Sequence, residues 1–158
     1  FSRESDFDNA FQVLDDIEIN TDDRGCLVIS APKVAEETIY TNDLVKVLDN
    51  QRFQWMGRYD NIINSGGVKL HPEQIEAKLA KVVPGRFFVA GLPDKTLGQK
   101  LVLVVEGKGG GEALRQKLEQ IGQITKFEVP KDIYFLDAFV QTASSKIHRA
   151  KTLEQLNL

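Results

Sequence analysis

Few side chains in this 158-residue sequence are equipped for chemistry, and their neighbours sort most of them. Cys26 sits in Gly25-Cys26-Leu27-Val28-Ile29, an apolar run that reads as a strand burying an inert thiol. A single cysteine also excludes an internal disulfide and any multi-cysteine metal centre. His71 and His148 have no acid or histidine at metal-ligand spacing, and His71 precedes a proline where a helix would open, a structural setting. No serine lies in a nucleophile-elbow pattern. Gly107-Lys108-Gly109-Gly110-Gly111 lacks the Gly-Lys-Ser/Thr ending that sets a lysine and a hydroxyl on phosphate and magnesium, so it reads as a strand-to-helix connection. Lys146, in Thr142-Ala143-Ser144-Ser145-Lys146, has little around it to pack against; on local sequence alone it is a solvated cation.

The elements that must hold these residues follow from periodicity and turn chemistry. Phe11–Leu14, Ile17–Ile19 and Cys26–Ile29 read as short strands around a turn at Asp22–Gly25. Leu44–Leu48 and Arg52–Met56 flank an Asp49-Asn50 corner as a β-hairpin. His71-Pro72-Glu73 opens a helix whose Ile75, Leu79, Val82 and Val83 keep helical spacing until Pro84-Gly85. Strands are expected at Arg86–Gly91, Lys100–Glu106 and Ile133–Leu136, with a loop from Pro93-Asp94 to Leu97-Gly98. Helices are expected at Glu112–Ile121 and Ala150–Leu156. Interleaved strands and helices after residue 57 predict a small α+β domain behind a β-rich stretch.

Composition narrows the function classes. A hydrophobic fraction of 42% allows a sizeable core, and a net charge of −3 leaves no basic footprint for nucleic acid. No apolar run approaches the roughly 20 residues that span a bilayer, and Phe1-Ser2-Arg3-Glu4-Ser5-Asp6 is not a signal peptide. A reducing cytoplasm fits. The chain has no initiator methionine and begins as if cut from something longer.

The most informative segment is Gly57-Arg58-Tyr59-Asp60-Asn61-Ile62-Ile63-Asn64-Ser65-Gly66-Gly67-Val68-Lys69-Leu70-His71-Pro72-Glu73-Gln74-Ile75-Glu76. It is a polar turn, a short strand, a glycine pair that lets the backbone turn sharply, a second strand and a helix start. It resembles the hinge-and-glycine motif of the adenylate-forming enzymes, which include acyl-CoA synthetases, peptide-synthetase adenylation domains and luciferases. Pro130-Lys131-Asp132-Ile133 through Ser144-Ser145-Lys146-Ile147-His148-Arg149 resembles the lysine loop of the same enzymes. Two motifs in order and at a suitable distance weigh more than either alone.

The resemblance implies an α+β fold: the small C-terminal domain, a three-stranded sheet with flanking helices, at 58–158, behind a β-rich remnant of the ATP- and acyl-binding portion at 1–57. It implies that Lys146 bridges the substrate carboxylate and the α-phosphate oxygens while the acyl-adenylate forms. A flexible point charge suits that task, because attack of a carboxylate on a phosphate faces like-charge repulsion. It further implies that Asp43, in Tyr40-Thr41-Asn42-Asp43, and Arg58 contact the ribose, and that Asp60 is the hinge of a rotating domain. Gly66 and Gly67 would border the pantetheine tunnel, with Lys69 near ATP phosphate or CoA. Implied partners are ATP with magnesium, held mainly by an N-terminal portion not in this sequence, CoA and a small carboxylic acid. No metal-ligating residue is assigned within the chain.

Within the family the motifs look most like 2-succinylbenzoate–CoA ligases of menaquinone synthesis, an ATP-dependent ligase whose fragment alone is expected to be inactive. Three departures stand out: Asn42 where glycine is usual, Phe139-Val140 where Leu-Pro is common, and Ser145 in place of the glycine before the lysine. Two other readings stay open at this point, a non-catalytic binding or regulatory module with the same fold and a peptide-synthetase adenylation domain. Retention of Asp43, Arg58, Asp60 and Lys146 together argues against the module.

Overall fold

A computed structural model describes residues 10–156, so the reading of Phe1–Asp6 lies outside the described residues. The chain divides into two compact units, one ending at Ile62 and the other starting at Ile63.

The first unit is a five-stranded sheet in the order β1-β5-β4-β3-β2. Its strands are β1 (Ala10–Gln12), β2 (Glu18–Thr21), β3 (Cys26–Ser30), β4 (Ile39–Asp49) and β5 (Arg52–Arg58). All pairings are antiparallel. The expected β4–β5 hairpin forms, closed by an Asp49–Arg52 ion pair of 2.7 Å and an Asp49 carboxylate that accepts the Gln51 N–H at 2.9 Å. β4 is longer than the apolar run Leu44–Leu48 suggested: Ile39, Tyr40 and Leu44 pair with β3 and Asp43 pairs with Arg58 of β5, while Thr41–Asp43 fall in a register shift against β3. Two further register shifts interrupt β4–β5 as bulges, between Leu44 and Val45 and between Val47 and Asp49. Cys26 is fully buried, and burial pushes its thiol pKa up, the setting of an unreactive sulfur.

The second unit is built around β9 (Gly98–Glu106), whose Leu101–Val105 are all buried. β8 (Phe87–Asp94) pairs antiparallel along one edge of β9, and β10 (Asp132–Leu136) pairs parallel along the other. A hairpin of β6 (Ile63–Ser65) and β7 (Val68–Leu70) joins through the Ser65–Gly98 pairing. Strand alternation then divides the core in two. One face carries Val89, Leu101, Leu103 and Val105, and is covered by Ile75 and Leu79 of α1 (Pro72–Leu79) and Leu114 and Leu118 of α2 (Gly111–Glu119). The other carries Phe88, Ala90, Val102 and Val104 under Phe139, Ile147 and Leu153 of α3 (Arg149–Glu154). This is the expected three-stranded sheet with flanking helices, lengthened by the β6–β7 hairpin.

The loop expected from Pro93 to Gly98 shrinks to Lys95-Thr96-Leu97, because β8 continues through the Asp94–Gly98 pairing. Asp94 stabilises the turn: its carboxylate accepts the Leu97 and Thr96 N–H groups at 2.8 and 2.9 Å, which lowers its pKa, and Gly98 takes φ +74°. Pro93 is tolerated because β8 is an edge strand.

Leu103→Ala, at a position with no exposure, is expected to cost about 2–5 kcal/mol of unfolding free energy in urea titrations followed by far-ultraviolet circular dichroism. A loss below about 1 kcal/mol would mean that β9 is not the centre of the core.

Candidate functional site

Residues singled out from the sequence fall into two places, one in each unit. In the first unit the β4–β5 pairing sets Asp43 opposite Arg58. Arg58 Nη1 lies 4.0 Å from Asp43 Oδ1, and Arg58 Nη2 donates to Asp60 Oδ2 at 3.0 Å. Asp60 follows within a single turn of 3-10 helix, Tyr59–Asn61. The three charged residues therefore form one exposed chain, with Arg58 between two carboxylates. Trp55, which no local pattern in the sequence singles out, donates its indole N–H to Asp43 Oδ1 at 3.2 Å, and Oδ2 has no hydrogen-bond partner among the described residues.

Asn42 has a clear part here. Its amide donates to Asp60 Oδ2 at 3.3 Å and its oxygen accepts from Arg24 at 2.9 Å. Arg24 also bonds the Thr41 carbonyl, lies 2.7 Å from Asp22 and sits over the Tyr59 ring. Asp22 in turn is held below the usual carboxylate range by the Cys26 N–H and by Arg24. A glycine at position 42 could make neither side-chain bond.

In the second unit Gly66 and Gly67 are the two-residue turn of the β6–β7 hairpin, at φ +58° and +82°. Both are left-handed, as a type I′ turn demands. They differ in surroundings. The Gly66 N–H bonds the Leu97 carbonyl at 2.9 Å, and a Cβ there would come within 3.1 Å of Leu97 Cδ2; at Gly67 a Cβ would meet nothing within 4 Å. Lys69 is exposed on β7. His71 stands at the N-cap of α1, but its ring makes no capping bond and Nδ1 is buried without a partner.

Lys146 closes a second hairpin. Gln141 and Ile147 pair as an isolated antiparallel bridge, and the Thr142 N–H bonds the Lys146 carbonyl at 2.8 Å. Thr142 Oγ1 accepts the Lys146 N–H at 3.2 Å and pairs with Ser144 Oγ at 3.0 Å, and the Ser145 N–H bonds the Thr142 carbonyl. The loop is therefore internally braced, while the Lys146 side chain is exposed with no ion pair among the described residues. Below it, Phe139 N–H donates to Glu106 at 2.7 Å and Val140 N–H to the fully buried Thr152 at 3.2 Å. Ser145 has φ +61°, the region that favours the glycine it replaces. One more contact escaped sequence reading: Glu76 and Arg149, the last residues of the two motifs, form an ion pair with N–O distances of 2.9 Å.

Residues 71–146 match the AMP-binding enzyme C-terminal domain. The second unit thus has the fold of the C-terminal domain of the adenylate-forming enzymes. The chain as a whole belongs to that family, in its acyl-CoA synthetase branch. It is 32% identical over 120 residues to the 2-succinylbenzoate–CoA ligase of a Geobacillus strain, across 74% of this chain and 24% of that protein. It is also 32% identical over 108 residues to a medium/long-chain-fatty-acid–CoA/3-oxocholest-4-en-26-oate–CoA ligase of Mycobacterium tuberculosis, across 66% of this chain and 20% of that protein. The solved acyl-CoA synthetase (AMP-forming)/AMP-acid ligase II-like protein of Dyadobacter fermentans is 40% identical, with a TM-score of 0.59, over 94% of this chain and 44% of its own. The chain spans about a quarter or less of the length of the curated relatives it matches.

Ser145→Gly should relieve the left-handed backbone and stabilise the second unit by about 0.5–1 kcal/mol in urea titrations; a destabilised variant would show that the hydroxyl, not the backbone, matters here. Gly66→Ala should cost more than Gly67→Ala in the same titrations, since only Gly66 faces Leu97; equal costs would remove the Leu97 contact from the account.

Proposed function

We propose that this chain serves as the last β subdomain, through about residue 57, and the mobile C-terminal domain, from 58, of an ATP-dependent acyl-CoA ligase. The ligase activates a carboxylate as acyl-AMP and then transfers the acyl group to the thiol of CoA. The observation that carries the reading is the free Lys146 ammonium held out on a braced hairpin, at the end of the matched domain. A cation so mounted is pre-positioned while its side chain stays free to enter and leave a site. Between a substrate carboxylate and an α-phosphate it offsets the repulsion that opposes attack.

The remaining residues take their parts in the same scheme. Asp43, with Oδ2 open, and Arg58 contact the ribose, and rotation about Asp60 exchanges the lysine hairpin for the face that carries Gly66, Gly67 and Lys69. Their small turn then borders the pantetheine arm of CoA. ATP with magnesium is held in this scheme mainly by the N-terminal portion of the ligase. The carboxylate we favour is 2-succinylbenzoate, which places the reaction in menaquinone synthesis and in the cytoplasm. The Geobacillus relative supports it, while the equally similar mycobacterial ligase carries different acids in its name. No helix among the described residues is long and apolar enough to cross a membrane.

The test is acid-dependent ATP–pyrophosphate exchange, with 2-succinylbenzoate beside a panel of fatty, aryl and amino acids. The chain alone should show none, and the ligase that carries it should prefer 2-succinylbenzoate. Exchange by the isolated chain, or none by the folded ligase with any acid, would overturn the reading. Lys146→Ala in that ligase should slow acyl-AMP formation about 100-fold or more, while thioester formation from supplied acyl-adenylate changes little. Equal losses in both half-reactions would make Lys146 structural.

A further inference from the structure

Glu76 and Arg149 lie 73 positions apart, on helices that cover opposite faces of the sheet. α1 packs its Ile75 and Leu79 against one core, and α3 packs its Leu153 against the other. The pair meets at the edge of β8. Glu76 Oε1 accepts the Val89 backbone N–H at 3.0 Å and Arg149 Nη1 at 2.9 Å, while Oε2 takes Arg149 Nη2 at 2.9 Å. The guanidinium also lies over the Phe88 ring, whose own edge-to-face partner is Phe139, the residue that leads into the lysine hairpin. The Val89 bond holds Glu76 of α1 at a set height along the strand, the two-pronged ion pair ties Arg149 of α3 to it, and the guanidinium packs on Phe88.

From this geometry we propose that Glu76 and Arg149 are positioning residues for Lys146: the pair clamps α3 around the sheet edge and thereby aims the hairpin, whose Lys146 lies three residues before Arg149. The proposal rests on the catalytic assignment of Lys146 above. Stability alone is a poor account of the pair, since a half-exposed lysine would neutralise Glu76 equally well; only the planar fork of arginine meets both oxygens at once.

The experiment uses the intact ligase and four variants: Lys146→Ala, Arg149→Lys, Glu76→Gln and the Glu76→Gln/Arg149→Lys double. Acyl-AMP formation, thioester formation from supplied acyl-adenylate, and hydrogen exchange of the Val89, Thr142 and Lys146 amides are read for each. Arg149→Lys and Glu76→Gln should each slow acyl-AMP formation about tenfold, leave thioester formation within about twofold, and speed exchange at Thr142 and Lys146. The double variant should be no worse than the poorer single, as for two residues that act as one unit. Loss of both half-reactions together, or unchanged acyl-AMP formation in both single variants while Lys146→Ala is impaired, overturns the positioning role and leaves the catalytic one intact. If Lys146→Ala is itself unimpaired, the catalytic assignment fails, and the positioning role with it.

Discussion

Burial of β9 on both faces is the constraint from which the second unit follows. Leu101, Leu103 and Val105 point one way and Val102 and Val104 the other, and none of the five keeps more than a few per cent of its surface. A strand with two apolar faces cannot stand at a surface, so each face demands its own cover. α1 and α2 supply one cover; the 139–156 segment, ending in α3, supplies the other. The lysine hairpin is thus an excursion from a segment whose main duty is to close a core. A loop with so little apolar content could not hold a shape unaided, and its fixed geometry is borrowed from Phe139, Ile147 and Leu153 on either side of it.

The ion pair at the β8 edge shows a different kind of constraint. Burial pushes the Glu76 carboxyl above its ordinary range, and this outweighs the opposing pull of Arg149 and of the Val89 N–H. For a carboxyl raised on folding, the associated stability is greatest below the ordinary glutamate range and is lost as pH climbs through the folded value. Burial thus opposes ionisation of Glu76, while Arg149 and the Val89 N–H hold the charged form.

Much of this was legible in the residues. Short continuous apolar runs located β8, β9 and β10, Pro72 and the Ile75/Leu79 spacing located α1, and Leu114/Leu118 located α2, because in each case the pattern is imposed by the core itself. The glycine pair announced a tight turn, and both glycines do adopt left-handed backbone. What stayed hidden was side-chain pairing across long separations. Nothing in the neighbourhood of Asn42 tells that it bridges Arg24 and Asp60, since those partners meet only when β3, β4 and β5 have aligned. The Trp55–Asp43 bond depends on pairing registers that bulges shift, and the Glu76–Arg149 pair on two helices folding over one edge. β4 was underestimated for a related reason: Thr41 and Asn42 are polar, and their strand conformation is stabilised by partners rather than by burial.

Trp55 is the chain's single tryptophan, and it stands in the first unit with its indole bonded to Asp43. The molecule is in consequence optically labelled in one half only. Its tryptophan fluorescence follows the environment of one carboxylate and the melting of the β4–β5 hairpin. An unfolding curve from fluorescence then records the first unit, whereas one from far-ultraviolet dichroism sums the backbone of both, and a gap between them is the sign that the two units melt separately.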